Sequence, residues 1–278
     1  MSRCEVCFRH CDIPEGGVGF CRARGCKDGK VYAANYSRVT SLALDPVEKK
    51  PLRRFHPGSK ILSAGSYGCN LRCPFCQNSE ISWDEGVERW STQADTLSPK
   101  ELADIAAGLK DKGNIGVAYT YNEPLIGYEY VLDTAKLVHD MGMVNVLVTN
   151  GTAETGILKE LAPYIDAMNI DLKGFNDSYY RDTLGGDMGM VLACIEEAVT
   201  FCHVELTTLI VTGENDTDDE MRRISGWIAD IDPDIPLHIS RFFPCFHMTD
   251  RRATDVDTVY RLADIAGEKL KYVYTGNV

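Results

Sequence analysis

The chain has 278 residues, of which 44% are hydrophobic and 25% charged, and it carries a formal net charge of -12. This length suits one domain of about 200–250 residues with a small appendage, and the acidic balance argues against a general nucleic-acid-binding surface. The sequence shows no signal-peptide pattern and no apolar stretch of about 18 residues, which argues against export and against a membrane span. We therefore expect a reducing cytoplasm, where the 11 cysteines bind metal or take part in catalysis rather than form disulfides.

The first 34 residues are predicted to form a cysteine-rich metal-binding module, because they are too few to build a hydrophobic core of their own. The candidate ligands are Cys4, Cys7, Cys11 and Cys21, in the spacing C-x2-C-x3-C-x9-C. Four thiolates with one tight pair can close a tetrahedral zinc site or hold an iron–sulfur cluster, and the sequence leaves both open. Cys26 is a further candidate that could replace one of these ligands in either case. A connector is predicted to follow over residues 35–59.

From residue 60 onward, short apolar strands alternate with amphipathic helices. The strands are typical of a buried parallel sheet, and alternation with helices implies parallel βα units joined by right-handed crossovers. The predicted strands are 61–64, 116–119, 145–148, 168–171, 205–211, 237–240 and 272–274, and the clearest helices are 99–112, 128–141 and 217–229. We therefore predict an α/β fold, a partial (βα)6 TIM-like barrel over residues 60–278. In such a barrel the chemistry gathers at the C-terminal ends of the strands.

A loop directly after the first predicted strand carries Cys69, Cys73 and Cys76 in the spacing C-x3-C-x2-C. Iron–sulfur clusters are normally held by four cysteines, so a loop with three leaves one iron free to bind something else. The plain alternative is structural zinc, which is usually built from two Cys/His pairs separated by a longer spacer. The spacing therefore predicts an open catalytic cluster.

With Phe75 before its last cysteine, the loop matches C-x3-C-x-aromatic-C and resembles the signature of radical S-adenosylmethionine (radical SAM) enzymes. This resemblance implies the partial barrel, a [4Fe–4S] cluster on the three cysteines, and SAM bound at the open iron. In that family an electron from the cluster cleaves SAM to methionine and a 5'-deoxyadenosyl radical, which abstracts hydrogen from a substrate, so the resemblance implies an oxidoreductase. The protein supplies binding and orientation. An exposed three-thiolate cluster also indicates an anaerobic setting.

Two polar segments follow the second and third predicted strands. Radical SAM enzymes often carry Gly-Gly-Glu-Pro at the first position, where it binds the amino group of SAM. Here Asn122 and Glu123 stand before a proline, so the glutamate is kept and both glycines are replaced. At the second position Thr149 and Asn150 precede a glycine, as in activating enzymes of glycyl radical enzymes. A helix N-cap with a turn glycine is the structural alternative there.

Later strands add four more candidate SAM contacts. Strand alternation places Asp171 and Lys173 on one face, where they suit the ribose hydroxyls and the carboxylate of SAM. The same Asp-x-Lys occurs in pyruvate formate-lyase activating enzyme. The structural alternative is an ion pair at the end of the strand. His238 matches the activating-enzyme pattern and would contact adenosine or substrate, unless it is a packed strand histidine. Thr208 lies in a region that usually lines the adenosine.

Motifs along the whole chain resemble those of the radical SAM proteins of the AmmeMemoRadiSam system. They are Cys4-Glu5-Val6-Cys7, Ile13-Pro14-Glu15-Gly16-Gly17, Gly19-Phe20-Cys21, Asp45-Pro46-Val47-Glu48-Lys49-Lys50-Pro51-Leu52, Phe55-His56-Pro57-Gly58-Ser59, Tyr119-Thr120-Tyr121-Asn122-Glu123-Pro124, His238-Ile239-Ser240-Arg241-Phe242 and Gly276-Asn277-Val278. The resemblance implies Memo-like and AMMECR-like partners and an electron donor such as flavodoxin or ferredoxin. It does not fix the substrate. Three hypotheses follow: an enzyme acting on a small molecule, an activase acting on a partner protein, and a non-catalytic iron–sulfur or zinc scaffold.

Overall fold

The computed structural model describes residues 1–278, which form one large sheet, three two-stranded sheets and eight α-helices. The strands are β1 (Ser2–Arg3), β2 (Asp12–Ile13), β3 (Arg24–Lys27), β4 (Lys30–Ala33), β5 (Arg38–Val39), β6 (Ser41–Pro46), β7 (Lys60–Gly65), β8 (Asp95–Thr96), β9 (Asn114–Thr120), β10 (Val144–Thr149), β11 (Ala167–Asp171), β12 (His203–Ile210), β13 (Leu237–Arg241) and β14 (Val273–Gly276). The helices are α1 (Ser79–Ser82), α2 (Trp90–Gln93), α3 (Pro99–Gly108), α4 (Tyr128–Asp140), α5 (Thr155–Leu161), α6 (Met188–Ala198), α7 (Asp218–Ile231) and α8 (Val256–Gly267).

The large sheet has the strand order β14-β13-β12-β11-β10-β9-β7-β6. From β7 to β14 all neighbours are parallel, which confirms the predicted α/β fold with seven βα-type strands. The eighth strand, β6, pairs antiparallel with β7 at the edge, and it lies within the predicted connector. Its residues lack β-branched side chains and end in Pro46, which is tolerated at a sheet edge but is a poor strand signal.

The helices cover one face of the sheet because each presents an apolar stripe to it. In α7, for example, Met221, Ile224 and Ile228 are buried at helical spacing, whereas the opposite face carries charged residues. Helix α3 begins with the predicted capping box, in which Ser98 and Glu101 bond reciprocally. It ends at Gly108, earlier than predicted, because the chain tightens into a 3-10 turn over Lys110–Lys112. No helix has the length and apolarity that crossing a membrane requires.

The segment between β6 and β7 fills the inside of the partial barrel at the N-terminal ends of its strands. Val47 and Leu52 are fully buried in one cluster with residues of β9, β10 and β11. The backbone carbonyl of Pro51 accepts a hydrogen bond of 2.9 Å from Asn169, and the backbone N–H groups of Arg53 and Arg54 donate to Glu205. The predicted connector is therefore part of the barrel core, and the opposite end of the barrel stays open.

Candidate active site

A cavity of about 300 Å³ opens at the C-terminal ends of the parallel strands. Its wall is formed by the loop after β7 and by residues at the ends of β9 to β13. The sequence-predicted residues that line it are Cys69, Cys73, Phe75, Cys76, Asn122, Glu123, Thr149, Asn150, Asp171 and Lys173. The fold therefore brings residues spread over about 100 positions of the chain to one site.

The cysteine loop is held in a tight turn, in which the backbone N–H of Cys76 donates to the carbonyl of Cys73 at 3.2 Å. Burial raises the pKa of the Cys73 thiol to about 11, although the nearby Lys173 ammonium opposes this change. Burial, followed by the charge of Glu123, also raises the pKa of Cys69 well above its ordinary value. Binding a metal cluster would therefore deprotonate these thiols and release protons.

Asn122 fixes the start of this loop. Its side-chain oxygen accepts a hydrogen bond from the backbone N–H of Ser66 at 3.0 Å, and its amide donates to the carbonyl of Gly68 at 3.1 Å. Gly68 has a positive φ of 92°, a conformation that L side chains rarely adopt. Asn122 thus positions the chain that leads directly into Cys69.

Glu123 is buried between the ends of β9 and β10. Its carboxylate accepts hydrogen bonds from the backbone N–H of Leu125 at 3.0 Å, the hydroxyl of Thr149 at 2.6 Å and the backbone N–H of Asn150 at 2.7 Å. Burial raises its pKa to about 7 in spite of these donors. No cation pairs with this carboxylate within the protein, so it is suited to receive a positively charged ligand group.

Asp171 and Lys173 form an ion pair at the end of β11, with 2.8 Å between the ammonium nitrogen and a carboxylate oxygen. Burial lowers the pKa of Lys173, but Asp171 and the Cys73 thiol outweigh burial and raise it. The backbone N–H of Lys173 donates to the hydroxyl of Tyr180 at 2.9 Å, which fixes the turn after the strand. The pair lies beside the cysteine loop and offers one anionic and one cationic group to the cavity.

The four cysteines Cys4, Cys7, Cys11 and Cys21 line a separate, small enclosed cavity behind the cysteine loop. Cys26 does not: its thiol lies 3.8 Å from the Glu15 carboxylate. No three Cys, His, Asp or Glu side chains of the protein converge closely enough to hold one single metal ion. The three cysteines of the loop after β7 likewise do not converge on a single point. A cubic cluster does not need such convergence, since each of its cysteines binds a different iron.

The sequence model of the radical SAM superfamily matches residues 64–228, more than half of the chain. The chain belongs to the radical SAM superfamily. Over 99% of its length it is 40% identical to the uncharacterized protein MJ0808 of Methanocaldococcus jannaschii, of which it covers 81%. It is 27% identical to the pyruvate formate-lyase-activating enzyme of Clostridium pasteurianum over 59% of this chain and 67% of that protein. The structure of Streptococcus suis SuiB bound to S-adenosylmethionine aligns with a TM-score of 0.59 at 13% identity, covering 76% of this chain and 48% of SuiB.

The cofactors of a radical SAM protein are a [4Fe–4S] cluster and SAM, and the donor groups of the cavity fit both. Three cysteine thiols on one loop are the ligand type that such clusters take. The unpaired carboxylate of Glu123 and the Asp171–Lys173 pair match the ammonium, hydroxyl and carboxylate groups of SAM in charge and hydrogen-bonding capacity.

Two predicted SAM contacts, Thr208 and His238, do not line the cavity. The hydroxyl of Thr208 donates to the carbonyl of Leu172 at 2.7 Å, which ties β12 to the end of β11. His238 lies deeper in the barrel, where its Nε2 is 2.6 Å from the Glu205 carboxylate and its ring stacks on Tyr274. Both side chains are buried, and both hold the framework of the barrel.

The neighbours of these two residues reach the cavity instead. Thr207 and Leu209 on β12 and Ser240 on β13 line its wall, together with Tyr121 and Asn277. Alternation along β12 puts Thr207 and Leu209 on one face and Thr208 on the other. Ser240 shares a face with His238 but lies two residues nearer the C-terminal end. Thr207 and Ser240 could therefore be identified from the sequence as polar residues near strand ends, but only if the inward face of each strand were known.

A segment after β13 covers the cysteine loop. The backbone N–H of His247 donates to the carbonyl of Pro74 at 2.9 Å, and the thiol of Cys245 donates to the carbonyl of Phe75 at 3.1 Å. Phe75 also packs edge-to-face against Phe242, with 6.3 Å between ring centroids. The aromatic residue of the signature thus anchors the loop to the last third of the chain.

Proposed function

We propose that this protein cleaves SAM reductively and uses the resulting 5'-deoxyadenosyl radical to abstract hydrogen from a substrate. The observation that carries the proposal is that Cys69, Cys73 and Cys76 share one cavity with an unpaired buried carboxylate and an Asp–Lys pair. When bound to these cysteines, the cluster supplies the electron and the open coordination position for SAM cleavage.

The residues of the cavity have separate parts in this proposal. Glu123 binds the amino group of SAM, because its carboxylate is buried and has only hydrogen-bond donors around it. Thr149 and Asn150 orient that carboxylate and do not need to touch SAM themselves. Lys173 binds the SAM carboxylate, and Asp171 accepts hydrogen bonds from the ribose hydroxyls.

Two substrate classes are candidates. The N-terminal cysteine module favours a small-molecule substrate, and the resemblance to the radical SAM proteins of the AmmeMemoRadiSam system implies Memo-like and AMMECR-like partners. An activase acting on a partner protein is the second candidate, favoured by the similarity to the pyruvate formate-lyase-activating enzyme. In both cases a low-potential donor such as flavodoxin or ferredoxin supplies the electron.

The test is anaerobic reconstitution with iron and sulfide, addition of dithionite and SAM, and chromatography for 5'-deoxyadenosine. We expect 5'-deoxyadenosine from the wild-type protein and at least a hundredfold less from Cys73→Ala, since one cluster ligand is lost. Cys202→Ala is the matched control, because Cys202 is outside the cavity, where its thiol contacts the carbonyl of Ala198. Equal product from wild type and Cys73→Ala would refute the proposal, and a wild-type protein that forms its cluster but leaves SAM intact would support the scaffold hypothesis.

A further inference from the structure

The N-terminal thiols are brought together by a small hairpin. Strands β1 and β2 pair antiparallel, and just inside them the backbone N–H of Cys4 donates to the carbonyl of Cys11 at 2.9 Å. Cys7 lies in the connecting turn, and Cys21 approaches from the next loop. Cys4, Cys7 and Cys21 are buried, so four thiols from 18 residues of chain surround one enclosed cavity.

This cavity lies directly behind the catalytic cysteine loop. A Cβ atom on Gly68 would come within 2.6 Å of the carbonyl oxygen of Cys21, so the two segments are in backbone contact. Cys7 forms a backbone bridge with Ala153, and the side chain of Asn70 donates to the adjacent Thr152. The two sets of thiols are therefore separated by little more than the thickness of the loop.

Polar contacts connect the two sets. Asn70 follows Cys69 in the chain, and the amide of Asn150 donates to the side-chain oxygen of Asn70 at 3.0 Å and lies 3.7 Å from the Cys69 sulfur. From the other side, Arg9 lines the N-terminal cavity and donates to the carbonyl of Asn70 at 3.2 Å. The guanidinium of Arg9 also packs over the ring of Phe20, 3.6 Å from its centroid. One residue, Asn70, is thus in contact with the surroundings of both cysteine sets.

We propose that Cys4, Cys7, Cys11 and Cys21 bind a second iron–sulfur cluster that relays electrons to the cluster on Cys69, Cys73 and Cys76. A low-potential one-electron donor protein is oxidised as it reduces the N-terminal cluster by one electron. That cluster is oxidised again when it passes the electron to the catalytic cluster, so one electron enters for each SAM cleaved. The relay rests on the proposed function, whereas the presence of the second cluster does not.

Two observations favour iron–sulfur over zinc at this site. The four ligands of a zinc ion all lie about 2.3 Å from one point, whereas the thiols here surround a cavity without converging on a point, as do the catalytic cysteines. The site also lies directly behind the catalytic loop, where a cluster could pass electrons on, whereas zinc has no redox chemistry and could only support the structure. The positive charge of Arg9 beside the thiols would stabilise the added electron, because net charge near a cluster sets its reduction potential.

Metal content tests the second cluster without any turnover. We expect about eight iron and eight sulfide per reconstituted wild-type chain, and about four of each in the triple variant Cys69→Ala, Cys73→Ala, Cys76→Ala, which should still give an electron paramagnetic resonance (EPR) signal after reduction. About four iron with one zinc per wild-type chain would overturn the proposal, as would four iron with no other metal. The wild-type count does not depend on whether the triple variant folds.

The relay is tested by comparing two reductants on the same variants. For Cys7→Ala, we expect the rate of 5'-deoxyadenosine formation with reduced flavodoxin, divided by the rate with dithionite, to fall at least tenfold relative to wild type. Cys26→Ala, in the same module but outside the cavity, should keep the wild-type ratio. An unchanged ratio in Cys7→Ala would overturn the relay. Failure of wild-type protein with both reductants would instead count against the proposed function. The iron count would still test the presence of the second cluster.

Discussion

Glu123 is held in a state that suits a cationic ligand. Its carboxyl group has a pKa of about 7 in the folded protein against an ordinary value of 4.5, mainly because of burial. A raised carboxyl pKa stabilises the fold fully below pH 4.5, and that contribution is lost as the pH rises through 7. The difference between the two pKa values corresponds to roughly 3 kcal/mol of unfolding free energy lost by pH 8. A bound ammonium group would offset this cost.

The affinity for SAM should therefore depend on pH through this one residue. An ammonium group binds the ionised carboxylate, and at pH 6 only about a tenth of a group with a pKa near 7 is ionised. We expect the Kd for SAM, measured by calorimetry on the cluster-loaded protein, to be roughly tenfold higher at pH 6 than at pH 8. In Glu123→Gln the Kd should be high at both values and nearly independent of pH. A wild-type Kd that is flat over this range would remove Glu123 from the ammonium site.

At the scale of elements, the cysteine loop depends on close packing against the N-terminal module. Gly68 combines a φ of 92° with space for no side chain, because a Cβ would meet both Ala23 and the carbonyl of Cys21 at 2.6 Å. Gly58 has a similar φ of 84° but nothing within 4 Å of the added atom. Comparing alanine variants of these two glycines therefore separates the cost of backbone strain from the cost of overpacking.

We expect Gly68→Ala to lose about 3 kcal/mol of unfolding free energy, since strain and overpacking add. Gly58→Ala should lose about 1 kcal/mol from strain alone. Chemical denaturation measures both, and the iron content of Gly68→Ala should also fall because the loop is displaced. Equal losses of unfolding free energy in the two variants would show that the N-terminal module does not pack closely against the cysteine loop.

Strand β6 is joined to the barrel by a buried charge cluster. The Asp45 carboxylate accepts hydrogen bonds from Lys49, Lys50, Ser63 and Tyr121. Burial raises the pKa of Asp45, but the ammonium of Lys50 dominates, and the pKa is lowered to about 2. This stabilisation is present above the ordinary pKa of 3.8 and is lost as the pH falls towards 2.

Lys50 and Lys49 provide a matched pair of variants on this carboxylate. The Lys50 side chain is 4% exposed and that of Lys49 is 66% exposed. We expect Lys50→Met to cost about 3 kcal/mol at pH 7, because it leaves a largely buried carboxylate without its main partner. Lys49→Met should cost less than about 0.5 kcal/mol. If both variants unfold at the same denaturant concentration as wild type, β6 is held by its backbone pairing alone.

At the scale of the whole molecule, some parts of the fold can be predicted from the sequence and others cannot. Strands such as Val144–Thr149 are dense in β-branched residues, and the helices between them have clear caps, so both were predicted. Strand β6 was missed because it has neither feature, and only its pairing with β7 defines it.

The site was predictable to the extent that it follows strand ends. Cys69, Glu123 and Lys173 stand directly after strands, and parallel strands bring such positions together. Thr208 and His238 do not line the cavity, and the sequence could not reveal this because alternation groups residues by face without telling which face is inward or how deep a residue lies. The contact between Asn70 and the N-terminal module joins distant segments, which spacing alone does not reveal.

The central claim is that SAM binds at an open cluster in this cavity, and the most direct measurement is EPR spectroscopy of the reduced protein. The triple variant, with Ala at Cys69, Cys73 and Cys76, would provide a background without the catalytic cluster. After subtracting that background, we predict that adding SAM changes the g-values of the remaining signal, because SAM would become a ligand of the free iron. A signal that is unchanged at saturating SAM would contradict the account.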